Sequence, residues 1–163
     1  MKKFGLIGYP LAHSFSKKYY DAKIAREGIS DVSYALYPLP DITGLPALIN
    51  EDPELSGINV TIPHKISVMN YVDRLAPEAE AVQAVNCIRI ERPSGSKPVL
   101  IGYNTDIYGF LESIRPLLQP WHRHALILGN GGAAKAVIYA LSELGLTCTI
   151  VSRSPQPGQL RYD

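Results

Sequence analysis

A chain of 163 residues with 46% hydrophobic and 19% charged residues is long enough to bury a core and too apolar to be disordered. Sixteen Lys and Arg against fifteen Asp and Glu leave a formal charge of +1, so no overall field draws the protein to nucleic acid or to an acidic membrane. No apolar run reaches the length of a membrane span, and Met1-Lys2-Lys3-Phe4 leads straight into a strand pattern rather than a signal peptide, so the expected location is the cytoplasm.

Short runs rich in Val, Ile and Tyr alternate with longer segments of helical period. A strand is predicted over Phe4 to Gly8, a helix over Ser16 to Glu27 closed by Gly28, and a strand over Val32 to Pro38. Gly57 to Ile62 reads as the next strand, with Val60 and Ile62 toward the core, and His64 to Leu75 as a helix. Asn86 to Glu91 and Val99 to Tyr103 are strands joined by the turn Arg92-Pro93-Ser94-Gly95-Ser96-Lys97-Pro98, which marks a hairpin. A helix over Asp106 to Leu118 precedes a break at Gln119-Pro120-Trp121-His122-Arg123. Beyond it come the strand Ala125 to Gly129, a helix over Ala133 to Leu144 and the strand Thr147 to Ser152. This order is that of an α/β protein with a mainly parallel sheet. Only about forty residues follow the break, whereas a doubly wound nucleotide domain runs through several more units, so the chain is expected to stop inside its second domain.

Cys87 and Cys148 each sit in an apolar run outside any CxxC pair and read as buried thiols of a reducing compartment. His13, His64, His122 and His124 have no Cys or acidic partner at ligand spacing, so no metal is expected.

The most specific local signal is Gly129-Asn130-Gly131-Gly132-Ala133-Ala134. It fits G-x-G-x-x-A, follows the strand Ala125-Leu126-Ile127-Leu128 and opens an amphipathic helix. Glycines let the backbone turn tightly and approach a pyrophosphate, whose charge meets free N–H groups at the helix N-terminus. A plain strand-to-helix turn is the alternative, and the flanking elements favour the dinucleotide. Ser152-Arg153-Ser154 closes the next strand, where an NAD site would place an acid for the ribose hydroxyl. An arginine between two hydroxyls suits the additional phosphate of NADP.

In the first half, Ser14 and Ser16 are two apart, so in an extended stretch both hydroxyls serve one polar ligand; capping the following helix is the other reading. Asn59 and Thr61 alternate in the same way. Lys65 follows at the predicted N-terminus of a helix, where the macrodipole disfavours a cation.

Taken together, Ile7-Gly8-Tyr9-Pro10-Leu11-Ala12-His13-Ser14-Phe15-Ser16, Asn59-Val60-Thr61-Ile62-Pro63-His64-Lys65, Ala84-Val85-Asn86, Gly102-Tyr103-Asn104-Thr105-Asp106 and the glycine turn closely resemble the shikimate dehydrogenases. The match is ordered and covers nearly the whole chain. It implies an α/β substrate-binding domain over 1–104, a connecting helix and linker over 105–122, and a truncated Rossmann-like NADP-binding domain over 123–163. It further implies NADPH-dependent, reversible reduction of 3-dehydroshikimate to shikimate. By the same resemblance Ser14 and Ser16 hold the carboxylate, and Thr61, Asn86 and Asp106, with Asn59 nearby, bind the ring hydroxyls. Lys65 and Asp106 form the catalytic pair, while Gly129, Asn130, Gly131, Gly132, Ala133, Ser152, Arg153 and Ser154 hold NADP(H). Two departures stand out: Asn130 replaces the usual alanine, and Ser152-Arg153-Ser154 replaces the common Asn-Arg-Thr. Family members continue for roughly a further domain's worth of chain. Strands without that cover expose Leu126, Leu128, Ile150 and Val151 and predict a homodimer through this half. Three readings compete: the NADP-dependent enzyme, a quinate/shikimate dehydrogenase of broader specificity or NAD use, and a non-catalytic short form that binds shikimate or quinate.

Overall fold

A computed structural model describes residues 1–162, and Asp163, the last residue of the expected second domain, lies outside the described residues. β1 (Lys2–Gly8) is followed by α1 (Phe15–Arg26), which crosses over to β2 (Val32–Pro38) lying parallel beside it. α2 (Leu45–Glu51) then leads to β3 (Leu55–Val60), parallel to β1 on its other side. The two-residue β4 (Arg74–Leu75) and the short α3 (Pro77–Val82) precede the hairpin of β5 (Cys87–Glu91) and β6 (Val99–Tyr103). These strands form one sheet in the order β2-β1-β3-β5-β6-β4, with β5 antiparallel to β3 and β6.

Alternation along the strands covers both faces. Ile7, Ile58, Val60, Ile88 and Ile90 pack on one side with Leu45 and Ile49 of α2. Leu6 and Tyr34 pack on the other with Leu11 and the α1 residues Tyr20 and Ile24, where the rings of Tyr20 and Tyr34 stack at 4.3 Å. Full burial of side chains such as Ile7, Ile58 and Ile88 stabilises by about 1.5–3 kcal/mol each. From the hairpin turn, Arg92 Nη2 donates to the carbonyls of Ile49, Asp52 and Leu55 at 2.8, 3.0 and 3.5 Å, satisfying acceptors around the end of α2.

α4 (Asp106–Ile114) leads to a second, wholly parallel sheet of β7 (His124–Leu128), β8 (Thr147–Ser152) and β9 (Leu160–Arg161), with α5 (Gly132–Glu143) between the first two. The fully buried Ala136 and Ala140 of α5 pack with Val82, Ala84 and Ile107, seating the helix against α3 and α4. On β7, Leu126 and Leu128 are 60% and 67% exposed. Among the described residues no helix is long and apolar enough to cross a membrane.

Several local expectations change. His64 to Leu75 is not an α-helix but a turn, a 3-10 segment over Ser67–Tyr71 and β4. The edge of β6 draws this chain out: Asp73 and Ala76 N–H donate to the carbonyls of Leu100 and Gly102. Lys65 therefore stands in a turn and not at the start of a helix of its own. β3 ends at Val60, and Ile62, expected in the core, is 71% exposed before a cis proline. The helix at Asp106 ends at Ile114, with a 3-10 turn over Arg115–Leu117, because Pro116 lacks the amide that would continue the ladder. The thiols of Cys87 and Cys148 are free and half-buried rather than fully buried, and burial still pushes both above the ordinary thiol range.

Candidate active site

The end of β1, the turn after β3 and the start of α4 meet at the end of the first sheet where β1, β3 and β6 finish. Ser14 caps α1, its Oγ accepting the Ser16 N–H at 3.3 Å, so the cap belongs to Ser14 and not to Ser16. Both serines line a cavity of about 330 Å³ with Thr61, whose backbone N–H is held by the Ile7 carbonyl. Two hydroxyls and a threonine in a pocket with no carboxylate in its wall suit an anionic, hydroxylated small molecule.

Lys65 is held from both ends. Its carbonyl accepts the Val85 N–H at 2.8 Å, and its Nζ lies 2.7 Å from Asp106 Oδ2. The lysine side chain is 16% exposed and the aspartate 35%, so the pair is shielded but reachable from solvent. The other aspartate oxygen accepts from Asn86 Nδ2 at 2.7 Å, and that amide also meets Thr105, accepting its backbone N–H at 2.9 Å. The Asp106 N–H in turn donates to Asn104 Oδ1 at 3.1 Å, while Asn104 Nδ2 is anchored on the Ala84 carbonyl. Every polar group around the carboxylate thus has a partner, which fixes it for the lysine.

Asn59 is placed differently from Thr61. Its Oδ1 accepts the Tyr34 hydroxyl at 2.9 Å, and it lines an apolar cavity under α1 with Phe4, Tyr20 and Cys87. Burial raises the Tyr34 phenol above its ordinary range, against the opposing pull of the nearby Ser16 hydroxyl. Tyr34 is absent from the sequence reading, since alternation along β2 shows a buried ring but not what its hydroxyl meets. Thr105 is likewise missed, although it stands inside the Asn104-Thr105-Asp106 string.

Facing Lys65 across a cavity of about 440 Å³ is the glycine turn. Gly129 adopts φ +121°, a conformation that side chains disfavour, and its N–H donates to the Val151 carbonyl at 2.8 Å. The first α5 bond runs from Lys135 N–H to the Gly131 carbonyl, leaving the amides of Gly132, Ala133 and Ala134 at the open end of the helix, with no acidic side chain in its first turn. A Cβ on Gly131 would meet nothing within 4 Å, so there is room for a phosphate above the turn. At Gly132 the opposite holds: a Cβ there would lie 2.9 Å from Lys65 Cβ. The exposed Ile62 and Ile66 form the apolar wall of this cavity beside the lysine. Ser152 is buried and accepts the Ser154 N–H at 3.2 Å, while Arg153 projects exposed from the end of β8. The residues present therefore fit a dinucleotide with an extra phosphate on its ribose. Among the described residues no three His, Cys, Asp or Glu side chains gather as a metal site would require.

Comparison with known proteins finds one family. The shikimate dehydrogenase substrate binding domain matches residues 6–88. A shikimate dehydrogenase (NADP(+)) of Symbiobacterium thermophilum is 42% identical over 160 residues, covering 93% of this chain and 51% of the relative. That of Caldanaerobacter subterraneus is 37% identical over 157 residues, covering 93% and 52%. Among solved structures, shikimate dehydrogenase 1 from Peptoclostridium difficile superposes with a TM-score of 0.83 at 30% identity, covering all of this chain and 60% of its own. The Thermus thermophilus enzyme, solved in complex with NADP(H) and shikimate, gives 0.81 at 32%, covering all of this chain and 63% of its own. The chain spans about half the length of the curated relatives it matches. A substrate-domain match over its first half, and superposition of its whole length on these enzymes, make the chain a member of the shikimate dehydrogenase family.

Proposed function

We propose that this chain carries the substrate-binding part and the start of the NADP-binding part of a shikimate dehydrogenase (NADP(+)), divided as 1–104, 105–122 and 123–163. The observation that carries the proposal is the contact of Lys65 Nζ with Asp106 Oδ2 at 2.7 Å, between the serine pocket and the glycine turn. NADPH, held at the glycine turn, would supply the hydride that reduces the carbonyl carbon of 3-dehydroshikimate. The Lys65 ammonium gives a proton to the oxygen on which negative charge then develops, and takes it back in the oxidation of shikimate. Asp106, its carboxylate held by Asn86 and its backbone N–H by the Asn104 side-chain oxygen, keeps the ammonium aimed and accepts from a ring hydroxyl. Ser14 and Ser16 donate to the carboxylate, and Thr61 and Asn86 bind ring hydroxyls, with Asn59, which accepts from Tyr34, nearby. Gly129, Asn130, Gly131, Gly132 and Ala133 would hold the pyrophosphate and Ser152, Arg153 and Ser154 the 2′-phosphate. A cytoplasmic location belongs to the same reading, because the reaction draws on the cell's own nucleotide pool. So does a homodimer, with Leu126 and Leu128 of each copy covering the other.

The test is an NADP-dependent shikimate oxidation assay run beside calorimetric titration of shikimate. Shikimate binding with turnover at an ordinary rate would mean that these residues suffice for the reaction. Binding without turnover supports an intact substrate-binding part whose cofactor contacts are incomplete in this chain, and absence of binding overturns the assignment of the serine pocket. In the full-length enzyme, Lys65→Ala is expected to lower turnover by about 10²- to 10⁴-fold while shikimate affinity changes by a few-fold at most. Unchanged turnover in that variant removes Lys65 from the chemistry.

A further inference from the structure

One side chain ties the glycine turn to the loop after β8. Asn130 is half-buried, and its Nδ2 donates to the Ser154 carbonyl at 3.2 Å and to Gln159 Oε1 at 3.1 Å. The same Gln159 oxygen accepts the Gln156 N–H at 3.1 Å, and the Gln159 N–H returns to the Gln156 carbonyl at 2.9 Å. On the near flank, Ser152 is 4% exposed and accepts the Ser154 N–H. Arg153 thus stands between a buried residue and a residue tied across the loop, while its own side chain is exposed. A primary amide supplies the two donors that this clamp uses, and an alanine at 130 supplies neither.

We propose that Asn130 is a specificity-determining positioning residue. By fixing the backbone at Ser154 it presents Arg153 to a phosphate on the ribose 2′ oxygen, and so sets the preference for a 2′-phosphorylated adenine nucleotide over the unphosphorylated one. The inference rests on the reading of the glycine turn and the Ser152–Ser154 loop as an NADP site. Without the clamp the loop samples many conformations, and the cost of ordering it falls on the ligand that needs Arg153. A ligand that lacks the 2′-phosphate carries none of that cost.

The experiment is calorimetric titration of the chain with adenosine 2′,5′-bisphosphate and, separately, with AMP, for the unaltered protein, Asn130→Ala, Gln159→Ala and the double variant. The unaltered chain is expected to bind the bisphosphate more tightly. Gln159→Ala should lose about five- to ten-fold of that advantage with AMP affinity within about two-fold, Asn130→Ala should lose a similar share of the bisphosphate-to-AMP ratio, and the double variant no more than the larger single loss. An unchanged bisphosphate-to-AMP ratio in Asn130→Ala overturns the inference and leaves the NADP reading standing. Equal loss of both ligands also overturns it, since Asn130 then serves the fold alone. A chain that binds the bisphosphate no better than AMP, or binds neither, overturns the NADP reading and the inference together.

Discussion

Lys65 is positioned by contacts that reach it from three directions: the Val85 amide on its carbonyl, Asp106 on its ammonium and Gly132 against its Cβ. The last contact makes the glycine turn a steric neighbour of the lysine as well as an anion cradle. Gly132→Ala must displace either the lysine or the start of α5, and overpacking of this kind costs about 1–3 kcal/mol. Thermal unfolding should show that loss, and hydrogen exchange should show it concentrated in the first turn of α5. Tyr34 gives a pH signature of its own. Burial raises its phenol above the ordinary value of 10.0, so the folded state holds the proton more tightly than the unfolded chain. The stability tied to that proton is complete below about pH 10 and is lost as the pH rises through the folded value. Urea midpoints measured from pH 9 upward should therefore fall less steeply for Tyr34→Phe than for the unaltered protein, with Tyr37, raised by burial too, supplying part of the remaining slope.

Among the elements, α2 and α3 are absent from the sequence reading although each opens on a proline, Pro46 and Pro77, and α3 carries Glu78 and Glu80 in its first turn. Both are shorter than the spans from which helical period can be read. The opposite error at His64 to Leu75 has the same root. Apolar residues recur there at helical spacing, yet hydrogen bonds to β6 outweigh that local preference. Arg92 shows how such a short helix is held: its guanidinium meets three carbonyls around the end of α2. Arg92→Ala is expected to destabilise the protein by about 1–2 kcal/mol, because charge-assisted bonds are lost and carbonyls are left without partners. Urea unfolding measures it directly, and a midpoint within error of the unaltered chain would assign the closure of α2 to packing alone.

At the scale of the molecule, the alanine face of α5 packs against α3 and α4 and joins the two sheets, and the catalytic candidates lie beside it. Ala136→Leu should loosen this seat and lower shikimate affinity less than it lowers stability, since the serine pocket belongs to the first sheet. The open side of β7 bears on association. With Leu126 and Leu128 more than half exposed, sedimentation should show a concentration-dependent dimer, and Leu126→Lys with Leu128→Lys should yield a monomer with unchanged helix content. What the sequence by itself determined is the α/β order, the glycine turn on its strand, and the strings that contain Lys65, Asn86, Asp106 and Arg153, because strand alternation, turn chemistry and motif spacing are local properties. Only the tertiary structure decided that Lys65 meets Asp106 across 41 positions of chain, that Asn59 turns to Tyr34, that Ile62 leaves the core for the cleft, and that Asn130 reaches Ser154. Each of these depends on which strands and turns become neighbours in space, and that is set by burial and backbone pairing over the whole chain rather than by any run of adjacent residues.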